Sequence, residues 1–244
     1  MKNFLNVHDV DNVEQLAQEA IALKNHKFEF QHLGKQKTMV LLFLNSSLRT
    51  RISTQKAAQN LGMQTIVLNL GQDSWQMEYE DGAIMNGNTA EHIKEGAAVI
   101  SEYADIIGIR AFPTLVDKQR DYSEYVLHKF LENVKVPVVN MESATVHPLQ
   151  SLTDLMTIRE HSNKPKPKVV LSWAPHIRAL PQCVSNSFAE WMNRAEVEFV
   201  ITHPKGYELD EKFSGKAKII HNQEEAFENA DFIYAKNWSA YTDY

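Results

Sequence analysis

The chain has 244 residues, 43% of them hydrophobic and 23% charged, and its 25 basic and 31 acidic side chains give a formal net charge of −6. This is an ordinary globular composition with room for one large or two medium domains, and it argues against a general nucleic-acid or anionic-membrane surface, because neither attracts an acidic protein. A single cysteine, Cys183, excludes an intramolecular disulfide and fits a reducing cytoplasm.

The N-terminal stretch MKNFLNVHDVDNVEQL carries charges too early for a secretory leader, and no apolar run approaches the about 18 residues of a membrane span. The ten histidines show neither HExxH nor zinc spacing, so no metal is expected. VEQLAQEAIALKNHKFEF (13–30) has apolar residues at helical spacing. TMVLLFLN (38–45) suits a buried strand, RISTQKAAQNLGM (51–63) a helix closing near Gly62, and TIVLNLG (65–71) the next strand. The polar stretch QDSWQMEYEDGAIMNGNT (72–89) reads as a functional loop with a short helix. Helices follow at 90–103, 122–134 and 147–162, and strands at 104–112 and 136–142.

After KPKPK (164–168), a solvated loop rather than a basic patch, the alternation restarts. Strands over 168–174 and 196–203 flank a helix over 183–194, and a short helix over 224–230 precedes the strand DFIYAK (231–236). Strands alternating with helices predict an α/β fold of two domains, 1–150 and 151–244, each a parallel sheet flanked by helices. No GxGxxG follows any strand and only nine glycines are present, which weakens a nucleotide-binding Rossmann reading.

Ligands of parallel α/β sheets bind at the carboxyl ends of strands, so polar residues there are the candidates. The first group is Ser46-Ser47-Leu48-Arg49-Thr50-Arg51. A serine can cap the coming helix while other first-turn amides and Arg49 receive an anion, and a capped helix with solvated arginines explains the same residues. Arg110 ends a strand and needs a partner, which a salt bridge supplies as well as a ligand does. Glu142 is followed by His147-Pro148-Leu149-Gln150, where Pro148 suits a first helical turn and His147 and Gln150 share one side of it. His176 and Arg178 follow the strand 168–174, and Lys236 ends DFIYAK; each alone is ordinary surface.

Ser47-Leu48-Arg49-Thr50-Arg51, Arg110 and HPLQSLTD (147–154) together resemble the aspartate/ornithine carbamoyltransferase family. Its phosphate motif is usually Ser-Thr-Arg-Thr-Arg, from which Leu48 departs, and its second motif is His-Pro-x-Gln-x-Leu-x-Asp. The stretch 43–51, Trp75, MNGNTAEHI (85–93) and WAPHIRALP (173–181) are similar to the branch acting on N-acylated ornithines. The resemblance implies a carbamoyl phosphate-binding domain (1–150) and an acylornithine-binding domain (151–244), acting in a homotrimeric cytoplasmic transferase of arginine biosynthesis without cofactor. It assigns carbamoyl phosphate to Ser47, Leu48, Arg49, Thr50, Arg110, His147, Pro148, Leu149 and Gln150, with Trp75 lent to a neighbouring subunit. Arg49, Thr50, Arg110, His147 and Gln150 would carry catalysis, and Glu142, His176 and Lys236 would contact the acylornithine.

Ala90 stands where the acetyl-specific enzymes carry glutamate and the succinyl-specific ones proline. With no carboxylate there to repel a second carboxylate on the substrate, it favours N-succinylornithine, although an alanine of good helical propensity explains it too. The Ser-Met-Gly segment of plain ornithine enzymes is absent from the sequence. The family continues for about 70 or more residues past this point, so the second domain is expected to be C-terminally incomplete, and a non-catalytic carbamoyl phosphate binder stays open beside the enzyme.

Overall fold

The apolar runs TMVLLF, KVVLSW and EFVIT become strands buried on both faces, as central strands of parallel sheets require. The computed structural model describes residues 1–178 and 180–240. In chain order these form a 3-10 turn (Val7–Asp9), α1 (Val13–Asn25), α2 (Gln31–Gly34), β1 (Thr38–Phe43), α3 (Arg49–Asn60), β2 (Gln64–Asn69), β3 (Met77–Glu78), β4 (Glu91–His92), α4 (Ile93–Glu102), β5 (Ile106–Arg110), α5 (Lys118–Tyr122), α6 (Tyr125–Leu131) and β6 (Val138–Glu142). There follow α7 (Pro148–His161), β7 (Lys168–Trp173), α8 (Cys183–Met192), β8 (Glu198–Thr202), α9 (Glu211–Ser214), β9 (Lys218–Ile219), α10 (Gln223–Phe227) and β10 (Phe232–Lys236). No helix among the described residues is long and apolar enough to cross a membrane.

The chain divides into two compact units, one of Met1–Leu5, Leu23–Phe112 and Tyr122–Ser143, the other of Asn6–Ala22, Pro113–Asp121 and Ala144–Tyr244. The first holds a parallel sheet of order β2-β1-β5-β6. Val40 and Leu42 of β1, Ile107 and Ile109 of β5 and Val138 of β6 pack there with Ile93, Ala97, Leu127 and Phe130 from the helices. The second unit holds a parallel sheet of order β10-β7-β8-β9. Val169, Val170 and Leu171 of central β7 are fully buried, whereas β10, an edge strand, alternates between half-buried and exposed residues. In each sheet the chain builds outward to one side and then returns to the other. The order reverses between β1 and β5, and between β7 and β10, and in such folds that reversal opens a crevice at the carboxyl ends.

Some expected elements differ. The helix expected over 13–30 stops at Asn25, and the separate α2 follows, set close against the turn after α3. A Cβ on Gly62 would lie 2.3 Å from the Gln31 carbonyl oxygen. The loop 72–89 contains no helix; it holds β3, paired with β4, while the Glu78 carboxylate takes the Tyr79 and Glu80 amides at 2.8 and 2.9 Å and so competes with helical bonding. The helix expected over 122–134 is shortened to α6 (Tyr125–Leu131), because Glu124, its N-cap, stands in the left-handed region at φ 53, while α5 ends at Tyr122 just before it. There Ser143 Oγ donates to Glu124 Oε1 at 2.8 Å. α9 and β9 are too short to show a period in the sequence.

Gly62 has φ 80 and closes α3, with the Met63 amide donating to the Ala58 carbonyl at 2.9 Å. Gly62→Ala is expected to lower the unfolding free energy by about 2 kcal/mol or more, from left-handed strain plus the backbone clash. Gly82→Ala, at φ 74 with open space around its Cβ, should cost only about 1 kcal/mol. Urea denaturation of the two variants measures the difference.

Candidate active site

The crevice position of the first sheet is organised by Arg110. This residue ends β5, is 6% exposed, and its register partner is Glu142, which ends β6 and is 8% exposed. An irregularity after Ile109 shifts the pairing so that the two charged residues face each other across the ladder. Arg110 Nε and Nη2 donate to Glu142 Oε2 at 3.2 and 3.1 Å. Nη1 donates to the carbonyls of Asn45 and Ser46 at 3.0 and 2.9 Å. The guanidinium also lies 3.9 Å over the Phe112 ring, a cation–π contact. Its buried charge is thus neutralised by one carboxylate, and four of its N–H groups are used, leaving one on Nη2.

That arrangement ties the loop after β1 to β5. The Phe112 amide adds a bond to Asn45 Oδ1 at 2.7 Å. α3 begins at Arg49, two residues before the expected start, so Arg49 and Thr50 form its first turn. Leu48 occupies the cap position without a capping side chain. Ser47 Oγ instead accepts from the Thr50 amide at 3.3 Å, so the expected serine cap acts from one residue further out. Other first-turn amides have no intrahelical acceptor, as at any helix start. Arg49 and Leu48 are exposed and Ser47 and Thr50 half-buried. Arg51 turns aside to donate to Asn69 Oδ1 at 3.1 Å.

Trp75 and Ala90 sit on the long loop. Trp75 is 58% exposed and its Nε1 donates to Glu91 Oε2 at 2.8 Å. Ala90 is exposed and precedes β4, with its amide donating to the Gln76 carbonyl at 3.3 Å. The helix expected from residue 90 starts at Ile93, capped by His92 Nδ1, so helix propensity does not account for Ala90. His92 Nε2 lies 3.0 Å from the Glu80 carbonyl, and Asp81 bridges Lys94 and Lys129 at 2.9 and 2.7 Å. Those two ammonium groups hold the Asp81 carboxyl down at about 2. The loop is therefore anchored on both sides of Ala90.

In the second unit His147 is the N-cap of α7 and Pro148 its first residue, as the sequence predicts, but the imidazole makes no cap bond. Pro148 is buried, and His147, Leu149 and Gln150 are half-buried. Gln150 Nε2 donates to Asp154 Oδ1 at 2.9 Å, so Asp154, one turn on, orients the glutamine. Burial raises the Asp154 carboxyl to about 6, against the pull of its bonds to Gln150 and Tyr234. Asp154 lies inside HPLQSLTD four residues after Gln150, a helical spacing that signals this pairing.

His176 and Arg178 are exposed on the loop after β7. They line a cavity of about 240 Å³ with Trp173, Tyr207 and Asn237. The cavity sits where β7 and β10 end, at the reversal of strand order. Lys236 is half-buried at the end of β10, and its carbonyl accepts from the Ala174 amide at 2.9 Å. A larger cavity of about 420 Å³ lies at the opposite, amino ends of β7, β8 and β9 and takes in the lysines of KPKPK. Lys164 is paired there with Asp231 at 2.6 Å and Lys168 Nζ donates to the Glu228 carbonyl at 2.5 Å, as a solvated loop before a strand would be.

Residues 2–160 match the family model described as aspartate/ornithine carbamoyltransferase, carbamoyl-P binding domain. The chain is 52% identical to N-succinylornithine carbamoyltransferase of Bacteroides fragilis (strain 638R), over 99% of this chain and 76% of that protein. Against N-acetylornithine carbamoyltransferase of Xanthomonas campestris pv. campestris it is 36% identical, over 98% of this chain and 75% of the relative. Among solved structures, a variant of N-acetyl-L-ornithine transcarbamylase complexed with carbamyl phosphate and N-succinyl-L-norvaline aligns with a TM-score of 0.90 at 36% identity, covering 98% of this chain and 76% of that one.

Glu142→Ala removes the one carboxylate facing the buried Arg110 and should cost about 3 kcal/mol or more of stability, and Glu142→Gln less, measured by denaturant unfolding. For Asp154 the folded-state pKa lies above the ordinary carboxyl value, so the folded chain holds this proton more tightly. Its contribution to stability is full below about pH 4 and is lost as pH rises through about 6. Asp154→Asn should flatten that fall by on the order of 2 kcal/mol, less any screening at its partly exposed edge. Glu190, raised by burial to about 7, titrates nearby, so the difference between wild type and Asp154→Asn in pH-dependent denaturation is the diagnostic measurement.

Proposed function

The chain belongs to the aspartate/ornithine carbamoyltransferase family and is a carbamoyltransferase, and from that premise we propose that it carries the carbamoyl group of carbamoyl phosphate to the δ-amine of N-succinyl-L-ornithine, giving N-succinyl-L-citrulline and phosphate. The observation that carries the choice of acceptor is the identity of 52% to an N-succinylornithine carbamoyltransferase against 36% to an N-acetylornithine enzyme. Ala90 supports it: a succinyl group adds a carboxylate, and an alanine neither repels it nor fills its space.

The neutral δ-amine attacks the carbamoyl carbon, the bond from that carbon to the phosphate oxygen breaks, and the phosphate takes the amine's proton. Charge grows on the carbonyl oxygen and on the leaving phosphate, where fixed donors lower the barrier most. We assign the phosphate to Arg49, Thr50 and the amides around 47–50, the start of a 12-residue helix whose dipole favours an anion. Arg110 is fixed by Glu142, Asn45 and Ser46 and keeps one Nη2 N–H for the carbonyl oxygen, with Thr50 and His147. Gln150, oriented by Asp154, takes the carbamoyl nitrogen. Pro148 and Leu149 shape that turn, and Ser47 and Leu48 shape the phosphate loop. Glu142, His176 and Lys236 are assigned to the acylornithine.

The same reading makes 1–150 the carbamoyl phosphate-binding part and 151–244 the acylornithine-binding part. It makes the assembly a homotrimer in which the exposed Trp75 serves a neighbouring subunit, and the setting the cytoplasm, with arginine biosynthesis as the role. N-acetylornithine is the second reading of the acceptor, supported by the solved relatives that bind acetylated ligands.

Supplied with carbamoyl phosphate and, in parallel, N-succinylornithine, N-acetylornithine, ornithine or aspartate, the protein should form N-succinylcitrulline fastest, read by mass spectrometry. Preference for N-acetylornithine would overturn the acceptor, and no product with any of them would overturn the reaction. Arg49→Ala should lower kcat/KM about 100-fold or more by steady-state kinetics, from the loss of a charged donor on the phosphate.

A further inference from the structure

We propose that Arg178 binds the terminal carboxylate of the acyl group and so sets the preference for a dicarboxylic acyl chain. The inference rests on the acylornithine reading above and adds to it a residue which that reading does not use. Arg178 is exposed on the rim of the cavity at the β7–β10 reversal. Its guanidinium has no hydrogen bond or ion pair among the described residues; only its backbone is engaged. In the same unit Arg159 is paired with Glu14, and Arg194 donates to the carbonyls of Val7 and Val10 at 3.0 and 3.4 Å. Those two arginines are part of the scaffold, whereas Arg178 has its forked donors available.

The loop conformation fixes where that group stands. The Arg178 amide donates to His176 Nδ1 at 3.2 Å, and the same ring nitrogen lies 3.1 Å from the Arg178 carbonyl. The imidazole is thereby held on residue 178, and its Nε2 is left for a ligand. The wall beside it is aromatic. Trp173 packs on Tyr207 with ring centroids 4.7 Å apart, and Trp173 Nε1 is already used by the Trp238 carbonyl at 2.9 Å, so the indole offers its apolar surface. Asn237 Nδ2 likewise donates to the Ala174 carbonyl at 2.9 Å and holds the floor in place.

A succinyl group has an amide carbonyl, two methylenes and a carboxylate. A polar imidazole, an aromatic wall and a guanidinium offer the corresponding chemistry in one cavity. An acetyl group ends in a methyl and has nothing for Arg178 to bind. A forked guanidinium matches a carboxylate in two parallel bonds, which a lysine cannot do.

The test compares wild type, Arg178→Ala and Arg178→Lys with N-succinylornithine and N-acetylornithine at saturating carbamoyl phosphate. Arg178→Ala is expected to raise KM for N-succinylornithine about 10- to 100-fold, the loss of a charge-assisted contact, with kcat within about threefold. KM for N-acetylornithine should stay unchanged, and Arg178→Lys should restore part of the loss. Raised ionic strength should weaken N-succinylornithine in the wild type far more than in Arg178→Ala. Equal loss on both acceptors, or an unchanged KM for N-succinylornithine, would overturn the role of Arg178 while leaving the proposed reaction intact. A wild type that does not turn over N-succinylornithine would overturn the reaction and this inference with it.

Discussion

A guanidinium buried at the end of a parallel sheet is the constraint on which the first unit depends. Arg110 cannot shed its charge, and taking it out of water is costly unless every direction around it is answered. The answers come from three separate segments: Glu142 at the end of β6, the carbonyls of Asn45 and Ser46 after β1, and the Phe112 ring just beyond β5. Satisfying one side chain therefore fixes three strand ends relative to one another. It also fixes the start of α3, since Ser47 and Arg49 follow directly on the bonded carbonyls. The residues proposed to bind phosphate are positioned by a cation that is itself largely occupied.

This changes how Arg110 and Glu142 are to be understood. An arginine at a strand end can be a ligand or a structural ion; here four N–H groups of Arg110 are given to the scaffold and one is left over for the proposed contact with carbamoyl phosphate. Glu142 has the corresponding double claim on it, as the counter-ion of Arg110 and as a proposed contact of the acylornithine. A substitution at either position mixes stability with activity, so kinetic losses at these two residues need a stability measurement beside them before they are assigned to chemistry.

The two sheets solve the same problem by the same topology. Each builds strands to one side, returns past the first strand, and leaves the carboxyl ends of two adjacent strands with connections running in opposite directions. In the first unit that place is filled by Arg110 and the loop before α3. In the second it is the cavity bearing His176 and Arg178. The lysine-rich stretch 164–168 lies at the amino ends of its sheet, away from the strand-order reversal, and there Lys164 is met by Asp231 and Lys168 by the Glu228 carbonyl.

By itself the sequence determined the parts set by local pattern. TMVLLF, KVVLSW and EFVIT are apolar enough to require burial on both faces, the alternation with helices makes the sheets parallel, and Pro148 marks the start of α7. The motifs SLRTR and HPLQSLTD were legible for the same reason, because each is a short run at one strand-to-helix turn. Tertiary structure decided what depends on residues distant in the chain. That Glu142 answers Arg110, that Asn45 locks the loop through Phe112, and that Trp173, Tyr207 and Asn237 meet around His176 and Arg178 are pairings across 32 to 67 positions. No periodicity encodes such pairings, since they follow from the order in which strands are laid side by side. Where the helices expected over 13–30 and 122–134 are cut short, and why Ala90 stands outside α4, was decided in the same way, by contacts that no local pattern shows: α2 against the turn after α3, Glu124 with Ser143, and His92 capping α4.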